Sequence, residues 1–127
     1  MRQQYHTRKT GRGTLVWNVN KLVELVEDLP IKEVVLTSIR ELHEDDYWYN
    51  EDLAITPKWV ADHAQLIAEC DLHYPIILCA EGRLMDWMHR VCKAYMQGQD
   101  TIKAVQFEET PKPDYVDVDF KDLPYDD

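Results

Sequence analysis

Apolar residues recur at helical spacing in three stretches of the chain, and each stretch has residues typical of helix ends. The first helix is predicted after Asn20, a good N-cap residue, and it stops before Pro30. The second opens at Thr56 and Pro57 and runs to about Cys70. The apolar positions of the first are Leu22, Leu25, Val26 and Leu29, and those of the second are Val60, Ala64, Ile67 and Ala68.

A third helix is predicted from Trp87 or Met88 to Gln97, and Gly98 is the expected C′ residue. Its apolar face contains Met88, Val91, Cys92 and Tyr95.

Strands are predicted where β-branched or continuous apolar residues form short runs. These are residues 33–39, the buried run 74–79, the return strand 83–86 and residues 101–107. The sequence AEGR between the second and third runs predicts a tight turn, in which Gly82 can adopt positive φ. Helices and strands do not alternate regularly, so the predicted fold class is α+β: a single domain with a small mixed sheet and packed helices.

The length of 127 residues suits one compact domain, and charge divides it into three parts. We predict a basic N-terminal arm over residues 1–14, the domain itself over 15–107 and an acidic tail over 108–127. The arm and the tail are expected either to be solvated or to contact each other or a second subunit, as in a homodimer. The tail also alternates acids with apolar residues, which would let it add a strand to its own domain or to a neighbour.

Composition excludes several classes of protein. The apolar runs are too short to cross a bilayer and the N-terminus lacks the apolar stretch of a signal peptide, so a cytoplasmic protein without membrane contact is expected. The net charge of −10 makes DNA binding by the chain alone unfavourable. The three cysteines form no C-x-x-C pair and no compact metal motif is present, so no metal ligand is predicted.

The start of the third helix carries the best candidate for a binding site. His89, Arg90 and Lys93 cluster in its first two turns, where free backbone N–H groups and the helix dipole favour an anion. Together they predict a phosphate cradle. The alternative is an ordinary helix start, in which Asp86 caps the helix with a carboxylate that would compete with a phosphate.

The stretch from residue 74 to residue 107 resembles the ParB-like domain of the ParB/sulfiredoxin superfamily. Residues 33–42 also resemble the first strand and following loop of that family, so the resemblance covers about residues 31–107. The shared pattern is an apolar strand, a turn with Gly-Arg, a short strand ending in Asp and a helix opening with His-Arg. The matching residues are Pro75, Ile76, Ile77, Gly82, Arg83, Asp86, His89, Arg90 and Ala94.

The resemblance implies a nucleotide-phosphate pocket at the helix start, in which His89 and Arg90 hold phosphate oxygens. ParB proteins bind CTP there, and relatives bind ATP or ADP, so CTP, ATP or ADP with Mg²⁺ is the implied cofactor. The predicted binding residues are Asp86, Trp87, Met88, His89, Arg90 and Lys93, of which Lys93 is added from helical spacing.

Two residues depart from the family pattern. Met88 occupies the position of the sulfiredoxin catalytic cysteine, and because methionine cannot be the reductive nucleophile, sulfiredoxin activity is not expected. Trp87 occupies a position where the family usually has glycine. Because glycine lets the backbone approach a phosphate, the indole would either crowd the cradle or swing aside and stack on a base or a partner.

The loop after the first strand contains the acids Glu41, Glu44, Asp45 and Asp46 and the aromatic residues Tyr47, Trp48 and Tyr49. In the kinase branch of the superfamily an acid in this loop is the base, so Glu41 and Glu44 are the candidate catalytic residues. The group would otherwise hold Mg²⁺ or form a solvated acidic loop. The aromatic residues, with Trp59, would pin the loop to the core or form a binding surface.

The sequence leaves two hypotheses about function. In the first, the chain is a standalone domain that binds a nucleotide or other phosphate ligand, with phosphoryl hydrolysis or transfer. Alternatively, it is a non-catalytic interaction or regulatory module of the same fold with a degenerate nucleotide site and a protein partner.

Overall fold

A computed structural model describes residues 4–11, 13–45, 47–48, 54–118 and 120–124. Asp46 and Tyr49, which were predicted to take part in the acidic and aromatic loop, lie outside these residues. The strands of this part of the chain are β1 Tyr5–Thr10, β2 Gly13–Asn18, β3 Lys32–Val35, β4 Ile76–Leu78, β5 Leu84–Asp86, β6 Thr101–Gln106 and β7 Tyr115–Val116. Its α-helices are α1 Val19–Leu25, α2 Pro57–Glu69 and α3 Met88–Met96.

The strands form two sheets, which together with the helices confirm the α+β fold class. One sheet is antiparallel and has the order β1-β2-β7. The other has the order β3-β6-β4-β5 and is mixed, because β4 and β6 run parallel while the other pairs are antiparallel. The predicted small mixed sheet is present, and the three-stranded sheet beside it was not predicted.

The strand β4 of the four-stranded sheet is buried on both faces, which explains its continuous apolar run. Ile76 and Leu78 point to one side, where they pack with Met88 and Val91 of α3. Ile77 points to the other side, towards Trp17 of β2 and the buried residues of α1. Because successive strand residues face opposite sides, a strand covered on both faces needs apolar residues at every position.

The helix boundaries agree with the predictions to within a few residues. α2 begins after Thr56, whose hydroxyl accepts a hydrogen bond from the backbone N–H of Trp59 at 3.1 Å, as predicted. α1 begins two residues earlier than predicted, because the side chain of Asn18, not Asn20, accepts the N–H groups of Asn20 and Lys21. The predicted strand 33–39 ends at Val35, and the single-turn helix Leu36–Ser38 follows it.

The predicted apolar faces of α2 and α3 are partly wrong. On α2, Val60, Ala64 and Ala68 are exposed, and the partly buried positions are Trp59, His63, Ile67 and Cys70. On α3, Met88 and Val91 are buried as predicted, but Tyr95 is exposed and Ala94 takes its place in the core.

Both terminal segments contribute to the three-stranded sheet. Residues 5–10, within the segment predicted as a basic arm, form β1 and pair with β2 along their whole length. Tyr115 and Val116, within the predicted acidic tail, pair with Val16 and Leu15 on the other side of β2. Asp114 also accepts the backbone N–H of Asn18 at 2.8 Å and pairs with Lys21. No helix in the described ranges is both long enough and apolar enough to cross a bilayer.

The buried histidine of β1 makes the stability of the protein depend on pH. His6 is 8% exposed and packs against Trp17. Burial, aided by Arg8, lowers the pKa of His6 from 6.5 to about 3. Below pH 6.5, His6 therefore binds a proton in the unfolded chain but not in the folded protein. The free energy of unfolding decreases as the pH falls.

We expect His6 to lower the free energy of unfolding by about 1.4 kcal/mol per pH unit below pH 6.5, until the pH approaches 3. Urea unfolding of the native chain and His6→Leu at pH 7.5, 6.0 and 5.0 measures this dependence. The variant should lose less stability on acidification than the native chain. Parallel pH profiles would show that His6 is not the responsible group.

Candidate functional site

The turn between β4 and β5 positions the candidate site. Gly82 has φ of 82°, and its N–H donates to the carbonyl of Cys79 at 2.9 Å, while Cys79 N–H donates to the carbonyl of Arg83 at 2.8 Å. These contacts close the predicted hairpin. β5 then leads directly into α3, so Asp86, Trp87 and Met88 lie at the start of that helix, as predicted.

Trp87 is the N-cap residue of α3 and has an unusual backbone conformation. Its φ of 78° and ψ of 45° lie in the left-handed region, which costs a residue other than glycine about 1 kcal/mol or more. No described side chain caps the helix, so Asp86 does not serve as the predicted capping residue. The indole is partly buried and packs against the buried residues on both sides of the four-stranded sheet. This packing holds the backbone in its left-handed conformation.

Arg90 is held by the protein itself. Its guanidinium lies 4.0 Å from the centre of the Trp87 ring and 5.6 Å from that of Tyr74, within range of cation–π attraction. Its Nη1 donates to the carbonyl of Pro75 at 3.3 Å. Burial lowers the pKa of Arg90, although arginine remains charged at neutral pH.

Lys93 and His89 also have protein partners, and both partners belong to α2. Lys93 Nζ donates to the carbonyls of Ala68 and Cys70 at 2.9 and 2.6 Å, so it caps the C-terminus of α2. His89 Nε2 lies 3.0 Å from Nδ1 of His63. Burial, and next the electrostatic effect of His63, lower the pKa of His89, which favours its neutral imidazole.

The predicted phosphate cradle is therefore not assembled as a group. The structure places Arg90 against Trp87, Lys93 against the end of α2, and His89 against His63. The side chain of Met88 is 5% exposed and belongs to the core. Of the six predicted binding residues, only Asp86, Trp87 and Arg90 form one local cluster.

Asp86 is the anionic member of that cluster. One carboxylate oxygen, Oδ2, is buried and has no hydrogen-bond partner among the described residues. Burial raises the pKa of Asp86 from 3.8 to about 6, opposed by the backbone N–H of Trp87 and the charge of Arg90. A carboxylate here counteracts the attraction of this helix start for a phosphate.

The two predicted catalytic acids share one arginine. Arg83 Nε lies 2.8 Å from Glu41 Oε2, and Arg83 Nη2 lies 2.8 and 3.1 Å from the two oxygens of Glu44. Glu41 Oε2 also accepts the backbone N–H of Leu84 at 3.1 Å. Arg83 thus ties the acidic loop to β5, a role that sequence reasoning missed although Gly-Arg had been noted in the turn.

Two pockets flank the site. One of 270 Å³ lies beside Trp87 and Arg90 and is lined otherwise by apolar residues and Tyr74, namely Val23, Val26, Tyr74, Pro75, Ile77 and Val105. The other, of 230 Å³, lies between the acidic loop and the helices α2 and α3. Glu41, Glu44 and Met88 line this second pocket, whereas His89, Arg90 and Lys93 do not.

Aromatic residues and histidines join α2, α3 and the acidic loop. Trp48 packs against His89 and His63 with ring centres 5.2 and 4.9 Å apart, and Trp59 stacks on His63 at 3.9 Å. Tyr47 and Trp48 also contact the buried core, which agrees with the interpretation that aromatic residues pin the loop. The pairing of His63 with His89 had no signal in the sequence, because the two residues lie on different helices.

Comparisons with protein-family models, with curated proteins and with solved structures give no match for this chain. Within the described ranges, no group of three or more His, Cys, Asp or Glu side chains is arranged to hold a metal ion.

Proposed function

We propose that this chain is a non-catalytic binding module of the ParB/sulfiredoxin-like type, in which its own side chains close the phosphate site. The observation that carries this proposal is the engagement of Arg90. Its guanidinium lies over the Trp87 ring at 4.0 Å and 5.6 Å from the centre of the Tyr74 ring, and it donates to the carbonyl of Pro75.

The backbone of Trp87 supports the likeness to the superfamily. Glycine is usual at this position in the family, and Trp87 has the left-handed conformation that glycine adopts at little cost. The order of β4, tight turn, β5, α3 and β6 also agrees with the pattern that the resemblance implies.

Trp87 also favours a helix start that does not bind phosphate. A phosphate at this helix start would have to draw Arg90 away from an aromatic ring and a carbonyl, and to approach the partly buried Asp86 carboxylate. Lys93 would have to leave two carbonyl groups at the end of α2. Each step exchanges an existing contact for a new one, so the net gain from binding phosphate is small.

The pocket of 270 Å³ beside Trp87 and Arg90 is the surface that we assign to the module. Its lining is apolar and aromatic except for Arg90, which fits an apolar side chain next to an acidic group. A protein partner or a second copy of the chain supplies such a group.

A second candidate function is binding of a nucleotide or phosphate, as CTP, ATP or ADP with Mg²⁺. The observation that favours it is the start of α3, which no described side chain caps and which follows a left-handed residue. Backbone N–H groups at such a helix start attract anions. Under this alternative Arg90 swings away from Trp87 when the ligand binds.

Calorimetric titration of CTP, ATP and ADP with Mg²⁺ distinguishes the two functions. We expect the native chain to bind none of them at millimolar concentration. Trp87→Gly, which frees Arg90 from the indole, and His89→Ala/Arg90→Ala serve as the comparison variants. If the native chain binds one of these nucleotides and the double variant does not, the proposal of a non-catalytic module is refuted and the phosphate site is supported.

A further inference from the structure

The pocket of 230 Å³ between the acidic loop and the helices has a chemistry different from that of the predicted phosphate site. Its walls combine three carboxylates, Glu41, Glu44 and Asp45, with three aromatic residues, Tyr47, Trp48 and Trp59. It is smaller than the roughly 300–1,000 Å³ typical of sites for drug-sized molecules, so its occupant is small.

One oxygen of Glu41 lacks the donor that its burial requires. The side chain is 4% exposed, and its Oε2 accepts from Leu84 N–H and pairs with Arg83. The other oxygen, Oε1, is buried without a hydrogen-bond partner among the residues described. Because a buried carboxylate oxygen is rarely left unpaired, this atom points to a ligand that donates a hydrogen bond.

Charge in the pocket favours a cation. Three carboxylates line the pocket. Arg83 donates to Glu41 Oε2 and to both oxygens of Glu44, so only Asp45 has no arginine partner among these contacts. Asp45 at the rim is exposed. The pocket therefore keeps an excess of negative charge that a positively charged ligand would neutralise.

Three aromatic rings line the pocket beside these acids. The ring centres of Tyr47 and Trp48 are 6.1 Å apart with their planes at 67°, and those of Trp48 and Trp59 are also 6.1 Å apart, at 76°. Aromatic faces attract ammonium groups, most strongly where water is displaced.

We propose that this pocket binds the ammonium group of a small primary alkylamine, with one N–H donated to Glu41 Oε1 and the cation against Trp48 and Trp59. The alkyl chain packs on Leu42 and Met88, which also line the pocket. A quaternary ammonium ion does not satisfy Glu41, because it has no N–H. This site is separate from the pocket beside Arg90, so it does not depend on the proposed function.

The proposal is tested by NMR titration of the native chain with n-butylammonium chloride, following the indole N–H signals of Trp48 and Trp59. We expect saturable shifts of both signals. n-Butyltrimethylammonium chloride, the matched ligand without an N–H, should bind about tenfold more weakly. Absence of saturable shifts, or equal affinity for the two ions, would overturn the proposal.

Variants locate the site. Glu41→Gln should weaken n-butylammonium binding about tenfold. Because Glu41 also holds Arg83 and Leu84, two variants with less effect on folding accompany it. Asp45→Asn and Trp59→Leu should each weaken binding about threefold or more.

The matched control is Asp62→Asn, which removes an exposed carboxylate that pairs with Lys58 on α2. Its affinity should equal that of the native chain. A control variant that weakens binding as much as Asp45→Asn would indicate unspecific attraction and contradict the site.

A parallel titration with Nα-acetyl-lysine methylamide identifies the source of the ammonium group. Binding of n-butylammonium alone supports a free amine as ligand, and tighter binding of the lysine derivative supports a lysine side chain of a partner. Failure of both ligands would refute the amine site, whatever the nucleotide titration shows.

Discussion

Replacement of Arg83 by methionine is expected to lower the free energy of unfolding by about 3 kcal/mol or more. Glu41 is 4% exposed, and its charge is compensated by Arg83 Nε at 2.8 Å. Methionine keeps most of the side-chain length but leaves a buried carboxylate without its cation. It also releases Glu44, and with it the acidic loop, from β5. Guanidinium chloride unfolding at pH 7 measures the loss.

Two further variants separate the ion pair from packing. Arg83→Lys keeps the charge but cannot donate to both acids from one planar group, so an intermediate loss is expected. Glu41→Leu/Arg83→Met removes both charges and should be more stable than Arg83→Met alone, since no buried charge is left unpaired. A double variant less stable than Arg83→Met would contradict this account.

The part of the fold that depends on local signals could be predicted from the sequence. The hairpin and α3 have a turn glycine with positive φ at Gly82, a regular apolar period and Gly98, with φ of 73°, at the helix end. The strand β4 was recognisable because both of its faces are buried. These features are properties of a few consecutive residues and need no distant partner.

The first sheet was missed because its pattern is concealed by charge. In β1 the buried position is a histidine, His6, and the strand also contains Arg8, Lys9 and two threonines, so it resembles a basic arm. Its stability comes from Trp17 and the rest of β2. β7 was missed for a similar reason, because its two residues, Tyr115 and Val116, lie within a segment rich in acids and pair with β2.

The directions of long side chains could not be predicted from helical spacing. Spacing brings His89, Arg90 and Lys93 into the first turns of α3, but each side chain extends to a partner distant in sequence. Lys93 reaches the end of α2, which lies more than twenty residues earlier in the chain. The packed face of α2 was mistaken for the same reason, because His63 is covered by His89 and Trp48.

Trp87 provides the second large effect, and the comparison of two small replacements isolates its backbone. Trp87→Ala should lower the free energy of unfolding by about 3 kcal/mol, since the indole packs against the buried residues on both sides of the four-stranded sheet. Trp87→Gly loses the same indole but removes the cost of a left-handed conformation. We expect the glycine variant to be about 1 kcal/mol more stable than the alanine variant.

This order is the reverse of that found at most positions in helices, where alanine is the more stable by a similar amount. Thermal and chemical unfolding of the two variants under identical conditions measures the difference, and Ala94→Gly inside α3 provides the contrasting order. An alanine variant at position 87 more stable than the glycine variant would show that φ is not positive there. The stacking of Arg90 on the indole would then lose its structural basis, because the direction of the Trp87 side chain follows from that backbone conformation.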